Sequence, residues 1–192
     1  KAKAMVVTAS RLHAVRYFLE FKRYIESKGY KDLDVLVAFS GTVKDGVDEY
    51  TESGLNIRQD GSRVSEKQLP EVFHSDEFNM LIVAEKYQTG FDEPLLHTMF
   101  VDKKLTGVKA VQTLSRLNRT APGKVDTFVM DFVNEADDIK ESFEPFYKST
   151  VLDEEINVNM IYDLKILIRQ FLLYNDDDVE NFNKIFYKPK QT

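Results

Sequence analysis

Cysteine is absent from the 192-residue chain. Its absence excludes a disulfide-stapled scaffold, a thiolate zinc site and a cysteine nucleophile, and it permits a reducing cytoplasmic setting. Histidine is scarce: His13, His74 and His97 fall on unrelated segments, so no metal site is expected from them. No apolar run approaches the ~20 residues needed to span a bilayer, and no signal-peptide cleavage pattern follows the N-terminal Lys-Ala-Lys-Ala-Met, so no membrane partner is expected. Internal repeats and low-complexity tracts are missing. So is the phosphate-cradling string G-x-x-x-x-G-K-[ST], and no acidic pair with lysine marks a nuclease centre at a strand end. What remains is ordinary globular material, 43% hydrophobic and 30% charged, with 14 Phe and 9 Tyr to fill a core. The length suits one medium domain with an appendage, not two catalytic domains of ~150 residues each. Because the chain starts at Lys1 and enters a strand almost at once, it reads as a piece of a longer protein.

Strand-like and helix-like segments alternate through the first two thirds, which is what a parallel sheet requires. Ala4 to Thr8 reads as a strand, and the apolar residues from Leu12 to Ile25 recur at helical spacing until Gly29. Leu33 to Phe39 is a second strand ending in Ser40-Gly41. Residues 42–65 are polar and Gly-punctuated, and they are expected to form a long loop. A short helix over residues 66–74 precedes a third strand at Asn79 to Ala84, then come a strand over Leu95 to Asp102, a helix from Gly107 to Arg119, and a strand over Val125 to Phe132. The sum is an α/β domain over residues 1–132, whose ligands should lie beyond the strand C-terminal ends. Residues 133–192 are expected to be an all-helical extension. Its aromatic residues, among them Phe143, Phe146, Tyr147, Tyr162, Phe171 and Phe182, recur at helical spacing and are expected to pack as core.

Two strings carry chemistry. Thr89-Gly90-Phe91-Asp92 follows the third strand; glycine there lets the backbone approach a ligand, and the aspartate can bond a ribose hydroxyl. Glu93, beyond that turn, is expected to face solvent or bond locally. Gln112, Arg116 and Arg119 lie at i, i+4 and i+7, which stacks them along one face of the predicted helix. Two guanidiniums there suit phosphate oxygens and the charge that develops in phosphoryl transfer. Ser10 and Ser40 sit at strand ends, where a serine caps a helix or turn as readily as it contacts a phosphate.

NMLIVAEKYQTGFDEPLLHTMFVDKKLTGVKAVQTLSRLNRTAPGK, with AMVVTASR upstream, resembles the second RecA-like domain of superfamily 2 helicases and translocases. More narrowly, it resembles the motor (R) subunit of type I restriction enzymes over residues 1 to about 165. The resemblance implies a RecA-like domain of the P-loop-NTPase type, its parallel sheet flanked by helices. It implies that Gly90 and Asp92 lie at the nucleotide's sugar and the interdomain cleft, with Thr89 near the tracking DNA strand. Arg116 and Arg119 would reach across the cleft to the ATP γ-phosphate, supported by Gln112. Ser10 and Arg11 would meet the DNA backbone, with Ser40 as an added phosphate contact. ATP with magnesium would be bound mainly by a first motor domain outside this chain. The implied partners are double-stranded DNA, that first RecA-like domain, and the methylation and specificity subunits of a restriction complex. The implied setting is bacterial or archaeal cytoplasm. Alone, this stretch should neither hydrolyse ATP nor cleave DNA. Alternatives are the same domain of another superfamily 2 helicase, or an α/β domain that only binds a nucleotide or a protein.

The formal charge of −6 does not oppose DNA contact. Residues 1–132 carry 19 basic and 19 acidic side chains, so the whole excess lies in residues 133–192. Residues 1–31 hold 8 basic against 2 acidic, and residues 103–124 hold 6 against none, which places the basic stretches on the strings that resemble motor motifs.

Overall fold

The computed structural model describes residues 1–87, 91–148 and 176–186. Two compact units divide the chain, Lys1–Phe146 and Tyr147–Thr192. In the first, the elements in chain order begin with β1 (Lys3–Thr8), α1 (Arg11–Lys28), β2 (Val35–Ala38), β3 (Thr42–Asp45) and β4 (Asp48–Thr51). They continue with α2 (Glu52–Leu55), α3 (Leu69–His74), β5 (Met80–Val83), β6 (Leu96–Asp102) and α4 (Gly107–Leu114). A 3-10 turn (Ser115–Asn118) leads to β7 (Phe128–Asp131) and α5 (Ala136–Lys148), whose last two residues enter the second unit. Five strands form one sheet in the order β2-β5-β1-β6-β7, all parallel. The expected α/β arrangement, a parallel sheet flanked by helices, is therefore present.

Period-two alternation in β1 explains the two cores. Met5 and Val7 face α3 and α4 with Leu36, Leu81, Val83, Met99 and Val101, whereas Val6 faces α1 with Val35, Val37 and Ile82. Burial on both faces accounts for the nearly continuous apolar runs of β1, β2 and β5. α1 starts where the Ser10 side chain accepts the His13 N–H, and it stops at Gly29, whose φ of 66° closes the helix in the left-handed conformation.

Residues 42–65 depart from the expected loop. β3 and β4 pair as an antiparallel hairpin, and the segment that follows covers the free edge of β2. The Asn56 side chain accepts the Val37 N–H at 2.9 Å and donates to the Val37 carbonyl at 2.8 Å, standing in for a neighbouring strand. Two residues further on, the buried carboxylate of Glu52 accepts the Phe39 N–H at 2.9 Å. Side chains thus close an edge that would otherwise present unpaired backbone. Charged residues in the hairpin mask its alternation in the sequence. Arg16 of α1 grips the hairpin through both oxygens of Asp45 at 2.9 and 2.7 Å, and this hydrogen bonding holds the Asp45 carboxyl below its usual range.

The helix expected to run to Arg119 is α-helical only to Leu114. The last turn tightens to 3-10 geometry, as helix ends often do, and Arg119 is extended (φ −69°, ψ 134°). The stacking of Gln112, Arg116 and Arg119 along one helix is therefore lost. α5 packs back on α4: Ser142 Oγ accepts the Gly107 N–H at 2.9 Å, capping α4 from another element, and Lys104 pairs with Asp138 at 2.6 Å.

In the second unit, α6 (Asp176–Phe186) is described, and Phe182 stacks on Phe186 with centroids 5.2 Å apart. Of the aromatic residues expected to pack as core over the last sixty residues, Phe143 is half-buried, whereas Phe146 is 45% and Phe182 58% exposed. Tyr162 and Phe171 lie outside the described residues, as does the Tyr147 side chain.

Asn56→Ala should leave two backbone groups of Val37 without partners and destabilise the chain by about 2–4 kcal/mol, measurable in urea unfolding. The Asp45 midpoint, followed by NMR, should lie below that of an ordinary aspartate and rise towards it in Arg16→Ala. Because the folded value is depressed, this group stabilises the fold above its unfolded midpoint, and the contribution disappears as pH falls through the folded one.

Candidate functional site

The residues singled out in the sequence gather at two places. The first lies at the C-terminal ends of the parallel strands. Arg11, at the start of α1, donates from Nη1 to the Ser40 carbonyl at 2.8 Å. Gly41, with φ of 73°, leaves only 3.3 Å between a would-be Cβ and that same nitrogen, so a side chain here would crowd Arg11. Ser10, Arg11 and Ser40 are thus brought together across β5, with Ser40 and Arg11 exposed and Ser10 partly engaged as a helix cap. Nearby, Tyr17 donates to Asp102 at 2.7 Å, and that bond, with some burial, raises the phenol above its usual range.

The second place is the connection from β5 to β6. It crosses β1 from the C-terminal end of one strand to the N-terminal end of the next, and its described part contains no helix. Thr89 and Gly90 lie outside the described residues. The connection opens with strain. Lys86 N–H closes on the Ala84 carbonyl at 2.7 Å, a γ-turn centred on Glu85, and both Glu85 (φ 63°) and Tyr87 (φ 62°) adopt left-handed backbone. Each such residue costs on the order of 1–3 kcal/mol, so its surroundings must hold it. Phe91 anchors the return, buried between Phe73 and Tyr87 with centroids 6.0 and 4.9 Å away.

Both arginines of the second string meet this crossover. Arg116 Nη1 donates to the Phe91 carbonyl at 3.0 Å, while its Nε is buried without a hydrogen-bond partner among the described residues. Arg119 Nε pairs with Asp92 at 2.9 Å, and both side chains are more than half exposed. Gln112 is exposed on α4 and takes part in neither pair. These groups therefore sit on the return path to β6, not beyond the strand C-terminal ends where ligands were expected. Parallel pairing dictates this, since the connection must travel the length of the sheet before β6 begins.

Sequence reasoning missed three residues that hold the crossover. Lys124 Nζ donates to the carbonyls of Arg119, Leu117 and Pro94 at 2.6, 2.7 and 3.2 Å, which ties the 3-10 turn to the crossover; burial lowers its pKa, with the Glu93 charge opposing. Lys3 is 1% exposed, donates to the carbonyls of Ser75 and Phe78 and lies over the Phe73 ring. Burial pulls its pKa down against the raising influence of Glu93 and Asp76. Glu93 corrects an expectation: it accepts the Leu95 N–H at 2.9 Å as a local turn bond, yet it is buried and 3.0 Å from His74 Nδ1. The turn carries it under the sheet's N-terminal edge, away from solvent. A lysine at the first residue of an apolar strand is the one signal that could have revealed a buried cation partner there.

Known proteins are similar to this chain. The model of type I restriction enzyme subunit R domain 3 (T1R_D3-like) matches residues 55–134. From Methanocaldococcus jannaschii, the protein named as the MjaIXP endonuclease subunit of a type I restriction enzyme is 27% identical over 97% of this chain. This chain is similar to type I restriction R subunits. A second such protein of that organism, named as the MjaVIIP endonuclease subunit, is 27% identical over 90% of the chain. The chain spans only 16% and 17% of the lengths of these two relatives. A solved structure of the Mycobacterium smegmatis helicase Lhr, bound to ssDNA and AMP-PNP, is 14% identical, with 76% of this chain and 17% of that chain covered at a TM-score of 0.49. Among the described residues, no helix is long and apolar enough to cross a membrane.

An exposed ion pair adds little to stability, whereas a donor to a partly buried carbonyl adds more. Asp92→Ala should therefore shift the unfolding free energy by less than about 1 kcal/mol, and Arg116→Ala should cost about 1–3 kcal/mol, both read from denaturant unfolding.

Proposed function

We propose that this chain is the second RecA-like lobe, residues 1–132, of the ATP-driven DNA translocase in a type I restriction R subunit, with residues 133–192 leading into a helical region. The observation that carries this is the contact of both arginines with the crossover. Arg119 and Asp92 form an exposed pair that can open towards a phosphate and a ribose, and Arg116 is braced on the Phe91 carbonyl one turn away. An exposed, cheaply broken pair of this kind is suited to exchanging its internal partner for a ligand.

The polar groups present fit one end of a nucleotide. They offer two guanidiniums and a carboxylate, and the chain's own sequence has no phosphate-cradling loop, so ATP with magnesium is assigned mainly to a first lobe of the parent. ATP cleavage there supplies the free energy. Arg119 and Arg116 neutralise charge on the phosphate side of the cleft, with Gln112 supporting them and Gly90 and Asp92 assigned to the sugar. At the strand C-terminal ends, Ser10, Arg11 and Ser40 contact the backbone of double-stranded DNA, and Thr89 is assigned by the resemblance to the tracking strand. Arg11 and the Ser40-Gly41 turn move as one because they are bonded to each other. Closing and opening of the lobes shifts these contacts along the duplex before cleavage by the parent, in a cytoplasmic complex with methylation and specificity subunits.

In the intact parent chain, Arg116→Ala and Arg119→Ala should each lower DNA-dependent ATP turnover by about 10³-fold or more while circular dichroism stays unchanged. ATP turnover that survives both substitutions overturns the proposal. A nucleotide-binding module predicts instead calorimetric affinity of the isolated chain for ATP.

A further inference from the structure

Between the two places where predicted site residues gather lies a buried ionic junction. Glu52 is 7% exposed and bonds the Phe39 N–H, which precedes the Ser40-Gly41 turn. Both of its oxygens lie at 3.0 and 2.8 Å from Lys86 Nζ, and Lys86 also reaches Glu66 at 2.8 Å. Burial opposes the Lys86 charge, but the hydrogen bonds and charges of its carboxylate partners prevail and raise its pKa. Lys86 itself is fixed between the two left-handed residues Glu85 and Tyr87, and Tyr87 lies against Phe91, whose carbonyl holds Arg116. An unbroken series of contacts thus runs from the turn beside Arg11, through Glu52 and Lys86, to the arginine pair. A strained backbone clamped by a buried ion pair has a ready alternative, since release of the clamp relieves the strain.

We infer that Lys86 is a positioning residue that couples the DNA-side turn at Ser40-Gly41 to the arginines of the crossover, touching neither DNA nor nucleotide. This rests on the proposed motor function. When the backbone at Phe39 to Gly41 is displaced, Glu52 carries the displacement to Lys86, and the γ-turn passes it to Phe91 and Arg116. The long polar insertion that closes the edge of β2 is then also the input arm of the coupling.

The test uses the full-length parent and compares ATP turnover with and without double-stranded DNA. Lys86→Met should reduce the stimulation by DNA about tenfold or more while changing turnover without DNA by less than about twofold, and Lys86→Arg should restore most of the stimulation. Should the unpaired Glu52 unfold Lys86→Met, the double variant Lys86→Met with Glu52→Gln removes both charges and is expected to fold and to remain uncoupled. Equal loss in both conditions, or no loss in a folded variant, overturns the inference. Arg116→Ala and Arg119→Ala measured alongside keep the failures distinct: if they abolish turnover and Lys86→Met leaves the stimulation intact, only the coupling falls, and if they leave turnover intact, the motor function falls with it.

Discussion

Parallel pairing of β1 with β5 on one side and β6 on the other obliges the chain to return across the sheet between Val83 and Leu96. In most parallel sheets a helix makes that journey and satisfies its own backbone. No helix lies in the described part of this return, so its carbonyls need donors from elsewhere. Arg116 supplies Phe91, Lys124 supplies Pro94, and the Lys3 N–H supplies Leu95. The groups that resemble motor machinery are therefore also the groups that keep an irregular crossover folded, and the position of the second site follows from the sheet's direction.

This double duty changes the meaning of the basic stretches. Of the six cations in residues 103–124, Lys124 is committed to three carbonyls, Arg116 to a fourth, Lys104 to Asp138 and Arg119 to Asp92. A charge tally along the sequence suggests a broad attractive field, yet most of this charge is absorbed locally. Lys3 and Lys86 are likewise used inside the fold. Contact with a polyanion would then depend on a few accessible groups at the strand ends, where Arg11 stands exposed beside a tight glycine turn.

The sheet was legible because its strands are buried on both faces and read as apolar runs, and α1 because Ser10 and Gly29 mark its ends. The strings around Asp92 and Arg119 were linked to one nucleotide only by their resemblance to motor motifs, and the ion pair between them was not foreseen. The edge cover was not legible: Asn56 and Glu52 each act from one side chain on a strand twenty residues away or less, and one polar residue in a polar stretch leaves no periodic trace. Nor was the burial of Glu93 or Lys3, since each is stable only because the other elements of the N-terminal edge surround it. The end of the helix at Leu114 also escaped, because the competing 3-10 geometry is fixed by Lys124, ten residues downstream.

Lys124 carries one more implication. By holding the carbonyls of Leu117, Arg119 and Pro94 together, it ties the main chain on which the arginines are mounted to the crossover just ahead of β6. The segment cannot pay out like a flexible lid. Whatever the Arg119 guanidinium is to touch must be brought within the sweep of its side chain, so the gross approach has to be made by movement of the lobe, leaving only small adjustments to the crossover.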